Sequence, residues 1–330
     1  MGNSSSDNYM DLDTSVEKKI YTDEATIEDI MKHYKYFDNR LDHRFRNVTL
    51  YQNHNNVIVG KIHHIFHNFN IFSDYYDMYC MRENINSKYL INIHHKYTEK
   101  SREVNKVNYI INLFIQYPYN DLKNEITYRK LRNQRFDEYE LTKILKAGIE
   151  VLHRFKSANY LYEFVIDQHT ICLFNKRNSD SFKVKILEFN VKAYVGTRPE
   201  RALSNIDDPF IANAKNLAVA ILEAGLMINE MMIYKNLTNF RLYRLFDEFQ
   251  NHYTNKEFLS LVDGLLKSTL TIEDAFKTLH KKQNEADRYI FRDNAILKNE
   301  RFRKTSDTSA LKNEHIIKPS KLDFFTKKND

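Results

Sequence analysis

The sequence predicts an α+β protein in two parts, a small β-rich N-terminal lobe and a larger helical C-terminal lobe. Three observations predict it. From about Val48 to Gln116, β-branched and aromatic residues form short runs bounded by turn-forming residues. After Pro118 the apolar residues shift to the spacing of three and four that marks amphipathic helices. Further on, Ala212–Met232 is apolar nearly all round, as in a helix buried at the centre of a domain.

The elements follow in order. Residues 1–35 form a polar, acidic lead with one short helix over Thr26–Tyr36. Val48–Tyr51 and Val57–Val59 are β-formers around the turn cluster Asn53-His54-Asn55-Asn56, and they read as a hairpin. A helix is expected over Asp74–Arg82, then strands Tyr89–Tyr97 and Asn108–Gln116 joined by the charged connection Glu99–Lys106. Residues 36–117 make the smaller lobe, and a tether lies near Tyr117. In residues 118–280, Leu141, Ile144, Leu145, Ile149 and Leu152 share one helix face. Ile171–Phe174 and Val184–Leu187 are paired strands around Asn175–Ser181. Two further amphipathic helices carry Phe258, Leu261, Val262, Leu265 and Leu266, and then Ile272, Ala275, Phe276 and Leu279. Residues 281–330 lose periodicity and read as a basic, partly disordered tail.

Composition narrows the chemistry. The chain has 330 residues, 42% of them hydrophobic and 28% charged, an ordinary globular balance. It has six glycines and four prolines, and before Lys100 the only glycines are Gly2 and Gly60. A glycine-rich loop that cradles phosphate is therefore excluded from the N-terminal part. Cys80 and Cys172 support neither a disulfide framework nor a cysteine zinc knuckle, which favours a reducing compartment. The longest apolar stretches, such as Leu217–Leu226, fall short of the ~20 residues of a membrane span. The first residues lack the basic-then-apolar order of a secretory signal. Met1-Gly2-Asn3-Ser4-Ser5-Ser6 instead fits N-myristoylation at Gly2, which implies a cytoplasmic protein held peripherally on a membrane. One acyl chain binds marginally, and the adjacent residues 1–30 carry eight acids against Lys18 and Lys19, the wrong sign for anionic lipid. Residues 281–330 carry thirteen Lys or Arg against eight acids and read as a solvated tail. Without dense basic clusters or a recognisable module, nucleic acid is not an expected partner.

The order of elements resembles the protein-kinase fold, with matching segments from about Arg40 to His280. Val57-Ile58-Val59-Gly60-Lys61 is similar to the third strand, which ends in a phosphate-pairing lysine. Asn86–Ile91 resembles the turn before the fourth strand, and Leu113–Leu122 the fifth strand and hinge. Gly148–His153 is similar to the end of the helix before the catalytic loop. Val184–Asn190 resembles the strand and metal loop, with Glu188-Phe189-Asn190 in place of Asp-Phe-Gly. Pro199-Glu200 matches the end of the activation segment and Asn216-Leu217-Ala218 the start of the buried helix. The resemblance implies a bilobal kinase-like body with Lys61, Gln116, Tyr117 and Glu188 lining a nucleotide cleft for ATP, with or without magnesium.

It also implies that the catalytic parts are altered. The phosphate-covering loop falls at Arg40–Asn47 and holds no glycine, although Arg44 and Arg46 offer positive charge. The glutamate expected to partner Lys61 falls at Met78; Asp77 beside it points roughly 100° away on a helix. The His-Arg-Asp positions become Glu163-Phe164-Val165, and valine cannot accept a proton at the base position. The magnesium-binding asparagine becomes Thr170, and Asp167 stands where a lysine is usual. Twelve residues separate Glu188 from Glu200, too few for an ordinary activation segment. The acid that starts the buried helix is Asn213, and the arginine that would pair with Glu200 falls near Thr269.

Other constellations read as structural. His63, His64 and His67 invite a metal, but a site needs at least three converging ligands, no carboxylate or cysteine is locally paired with them, and their segment reads as strand. Glu188 and Asp167 form a carboxylate pair only on paper, and Cys172 reads as a core residue. The expectation is a pseudokinase: a membrane-tethered interaction protein with a protein partner and no catalytic residues of its own. An atypical low-activity Ser/Thr kinase using Lys61 and Glu188 is the first alternative, and an unrelated two-lobed adaptor the second.

Overall fold

The computed structural model describes residues 21–42, 44–103, 106–160, 162, 164–175, 182–187, 208–228 and 239–281. Gly2 and its motif, Glu163, Glu188-Phe189-Asn190, Pro199-Glu200 and the tail after Lys281 lie outside them.

The chain is α+β. Helix α1 (Glu24–Lys32) leads into a sheet of five antiparallel strands, β1 (Tyr34–Asp42), β2 (Arg46–Asn53), β3 (Ile58–Phe66), β4 (Ile93–Glu103) and β5 (Lys106–Gln116). Their order is β1-β2-β3-β5-β4, and helix α2 (Phe69–Glu83) joins β3 to β4. A second sheet combines β6 (Asn120–Asp121), β7 (Ile171–Asn175) and β8 (Phe182–Ile186). The remaining helices are α3 (Leu122–Leu131), α4 (Glu138–Ser157), α5 (Pro209–Leu226), α6 (Asn239–Gln250) and α7 (Lys256–Leu266). Residues 272–281 are also helical.

Local chemistry explains most boundaries. Asp23 caps α1 by accepting from the Thr26 N–H at 2.8 Å. The helix therefore starts at Glu24, two residues before the expected Thr26–Tyr36. It also stops at Lys32, because Tyr34 stacks on Phe114 of β5 at 4.4 Å and begins a ladder with β2. The β2–β3 hairpin turns where expected. The Asn53 side chain accepts from the N–H groups of Asn55 and Val57, at 3.0 and 2.9 Å, and Asn56 takes a φ of 58°, a left-handed value that asparagine tolerates. Helix α4 starts on a capping box between Asp137 and Glu140.

Each face of the five-stranded sheet has its own cover. Leu50, Ile62, Phe66, Leu113 and Ile115 pack with Phe72, Tyr75 and Tyr79 of α2 in a core that continues into the helices. Val59, Tyr97 and Phe114 on the opposite face pack with Ile27, Ile30 and Met31 of α1. The two sheets meet along a seam: the Ile91 N–H donates to the Ile186 carbonyl at 3.1 Å, and the Lys185 ammonium donates to Leu90 O and Asn92 Oδ1 at 3.1 and 2.8 Å. Burial, and secondarily the charges of Arg82 and Lys183, push the Lys185 pKa down to about 8. In the helical part α4 packs against α5, with Ile144, Leu145, Gly148 and Val151 buried on one side and Leu217, Ala220 and Ile221 on the other.

His64 is buried on the α2 side, with its Nε2 3.1 Å from the Tyr79 hydroxyl. Burial, reinforced by His63, pushes its pKa down to about 3, so the ring is neutral in the folded protein. Unfolding returns it towards the ordinary value of 6.5, so the unfolded chain takes up a proton between those values. Stability is therefore expected to fall as pH drops below 6.5. In His64→Gln, which keeps an acceptor for Tyr79, that decline should be shallower by up to about 1.4 kcal/mol per pH unit. Urea unfolding at pH 7 and pH 5 measures it, and identical slopes would refute the assignment.

Candidate functional site

The β3 register sorts the residues expected around a cleft. Side chains alternate along a strand, so Ile58, Gly60, Ile62, His64 and Phe66 face one side and Val59, Lys61 and His63 the other. The first set faces α2: His64 meets Tyr79 there, and a Cβ placed on Gly60 would lie 3.0 Å from the Tyr117 ring and from Val48. Lys61 is thus on the far face, beneath α1, with its ammonium 5.1 Å from the Tyr97 ring centre and 5.8 Å from that of Phe114. Burial lowers its pKa, and the charge of Glu99 on β4 opposes that shift.

Lys61 and Tyr117 are therefore on opposite sides of the sheet, where sequence analysis expected one cleft. Gln116, paired with Val59, shares the face of Lys61. The position facing α2 is taken by Ile62, fully buried. On α2 itself Met78 is buried in the core and Asp77 is exposed, as the helix geometry predicts. The three histidines do not converge: His63 and His64 diverge across the sheet, and His67 Nδ1 lies 2.9 Å from Asn108 Oδ1.

The loop from Phe164 to Thr170 is held by α5. Asn213 Oδ1 accepts from the Ile166 N–H at 2.7 Å, while its amide donates to Phe164 O and Pro209 O, both at 2.9 Å. An aspartate could make only the first of these bonds, so asparagine at this site gains two donors. Val165, which the resemblance puts at the base position, is 41% exposed. The Asp167 carboxylate accepts from the N–H groups of His169 and Thr170 at 2.8 and 2.9 Å, and Thr170 Oγ1 accepts from Asp167 N–H at 2.7 Å. Both side chains thus cap their own turn.

A denser polar cluster forms around the β1–β2 turn. The Arg44 guanidinium grips Asp42 with two bonds, Nε to Oδ1 at 3.0 Å and Nη2 to Oδ2 at 2.8 Å. Nη2 also donates to the carbonyl of Pro118, and Nη1 lies 3.9 Å from Cys172 Sγ. The Tyr117 hydroxyl donates to Asp42 Oδ2 at 2.8 Å. Burial opposes ionisation of Asp42, but the Arg44 bonds and charge, with help from Tyr117, outweigh it and hold the pKa at about 2. Burial, then Asp42, pushes Tyr117 up to about 12. Burial pushes the Cys172 thiol up to about 12 against the opposing charge of Arg44, so it is no thiolate nucleophile.

Sequence analysis put Arg44 in the phosphate-covering loop, where it offers positive charge, and Cys172 in the core. Cys172 is fully buried as expected, but Arg44 turns inward. The one signal in the sequence was the pair Asp42 and Arg44 flanking a turn without glycine.

The described residues, which do not include Glu188, do not fit a magnesium nucleotide. No lysine faces α2 from β3, Val165 cannot accept a proton, and the Pro118 carbonyl already bonds a guanidinium. No described helix is long and apolar enough to cross a membrane. No family model and no curated protein matches the chain.

Proposed function

We propose that this chain is a pseudokinase, a kinase-shaped interaction protein without phosphoryl-transfer activity, tethered to a membrane by a lipid on Gly2 and working through a protein partner. The observation that carries the non-catalytic reading is the β3 register: buried Ile62 faces α2 and Lys61 faces away. Phosphoryl transfer depends on positioning and charge neutralisation, and a lysine on the wrong side of a sheet supplies neither.

Several features support the kinase-like body. One helix lies between β3 and β4, and a short connection, Tyr117–Tyr119, leads from the five-stranded sheet to a small second sheet. Buried α5 grips the loop carrying Val165 through Asn213. A five-stranded sheet joined to a long buried helix also speaks against an unrelated adaptor. The tether rests on the Met1–Ser6 motif alone.

Full-length protein incubated with Mg-ATP and a general protein substrate is expected to transfer no phosphate above the blank. Lys61→Ala should respond to Mg-ATP as the unaltered chain does, with no thermal shift. Transfer that disappears in Glu188→Ala would replace this reading with an atypical kinase. Metabolic labelling with a myristate analogue should mark the intact chain and spare Gly2→Ala; equal labelling of both would remove the tether.

A further inference from the structure

The Arg44 cluster joins three parts of the chain that are remote in sequence. Asp42 and Arg44 come from the β1–β2 turn, Tyr117 and Pro118 from the segment after β5, and Cys172 from the middle of β7. Both side chains of the ion pair are only 5% exposed. The polar groups turned on the guanidinium are acceptors: the Asp42 carboxylate, the Pro118 carbonyl and the Cys172 sulfur. Asp121, fully buried on β6 beside Cys172, adds negative potential. Aromatic surface completes the enclosure, with the Arg44 guanidinium 5.3 Å from the Phe45 ring centre and 6.0 Å from that of Tyr117.

Such a lining selects a planar cation. A carboxylate fork matches guanidinium in plane and spacing, and flanking rings favour a weakly hydrated, delocalised charge over a compact ammonium. The same lining repels an anionic phosphate ligand. It also lacks a backbone donor at Pro118, because proline has no N–H.

We infer that the space enclosed by Asp42, Tyr117, Pro118 and Cys172 is a guanidinium-binding site whose ligand is the chain's own Arg44. The bound side chain latches the β1–β2 turn onto the segment after β5 and onto β7. The site rests on these contacts alone; its equivalence to the nucleotide-base pocket of a kinase rests on the pseudokinase reading. If both hold, an internal cation bridges the two parts where a nucleotide would otherwise do so.

The test is removal and replacement in the full-length protein. Arg44→Ala should expose Cys172 to a small alkylating reagent, raising its labelling rate at least about tenfold, the factor of a 1.4 kcal/mol opening. Mass spectrometry of the Cys172 peptide keeps this signal separate from Cys80. Methylguanidinium at millimolar concentration should slow that labelling saturably and raise the thermal midpoint of Arg44→Ala, whereas methylammonium should do neither. Arg44→Lys keeps the charge without the fork and gives the same comparison should the alanine variant not fold. Unchanged Cys172 labelling in both variants, or equal protection by the two cations, would overturn the site. Phosphoryl transfer by the unaltered chain would overturn the pseudokinase reading instead, and leaves the methylguanidinium result to decide the site by itself.

Discussion

Asp42→Ala is expected to lower the unfolding free energy by about 3–5 kcal/mol, because it leaves the Arg44 guanidinium buried without its counter-charge. The Tyr117 hydroxyl loses its acceptor at the same time. The double variant Asp42→Asn/Arg44→Met should recover most of that loss, since a buried ion pair exchanged for neutral groups of similar volume is often neutral or stabilising. The contrast between single and double variants identifies the cause as an orphaned charge and not lost packing. Acid gives a second readout. The carboxyl has a pKa of about 2 in the folded chain and 3.8 as its ordinary value, so its contribution is complete above 3.8 and disappears as pH falls through about 2. The unaltered protein should lose stability across that window, and Asp42→Ala should lack this component. Urea unfolding between pH 2 and 5 tests both parts; a cost below about 1 kcal/mol for Asp42→Ala would place the pair among surface-like ion pairs.

Gly148→Val is expected to be comparably damaging, at about 3 kcal/mol or somewhat more, through overpacking. Gly148 lies in α4 where Leu217 of α5 crosses it. A Cβ there would sit 2.4 Å from Leu217 Cδ2 and 2.6 Å from Cδ1. Leu217 is fully buried, so its side chain has little room to withdraw. Gly148→Ala gains up to about 1 kcal/mol of helix propensity, which offsets part of its smaller clash. Leu217→Ala alone should cost about 2–5 kcal/mol as a cavity, and the double variant Gly148→Val/Leu217→Ala should cost less than the sum, because each change relieves the other. Additive losses in chemical unfolding would show that the two helices separate instead of interlocking at this point.

Both predictions concern places where segments remote in sequence meet, and there sequence reading was least complete. The β2–β3 hairpin was legible because asparagine clusters carry turn chemistry within four residues. Helix α4 was legible from apolar spacing on one face and α5 from its all-round apolar sequence, although α5 runs Pro209–Leu226 and stops at a left-handed Met227 instead of reaching Met232. Strand β1 was not, because it is an edge strand whose charged and aromatic residues are largely exposed and show no alternation; a register shift between Tyr36 and Asp38 disturbs it further. Helix α3 was also missed, its polar sequence held in place by Arg129, which bonds Glu125 at 2.8 Å and Glu140 of α4 at 2.6 Å. The residue types at Val165 and Met78 could be read directly, but the orientation of Lys61 could not. A lysine after a strand-forming run has a definite side only once its neighbours are known, and a shift of one residue reverses it.

The sequence by itself determined the α+β class, the hairpin and the principal helices, because these depend on residue type and on periodicity over a few turns. Only the tertiary structure decided that Ile62 and not Lys61 faces α2, that Asn213 holds the loop from Phe164 to Ile166, and that Arg44 turns inward to Pro118 and Cys172. Those partners lie 74 and 128 residues away from Arg44. Local pattern carries no information over such separations; burial chooses the partner by requiring every charge taken out of water to meet an opposite one.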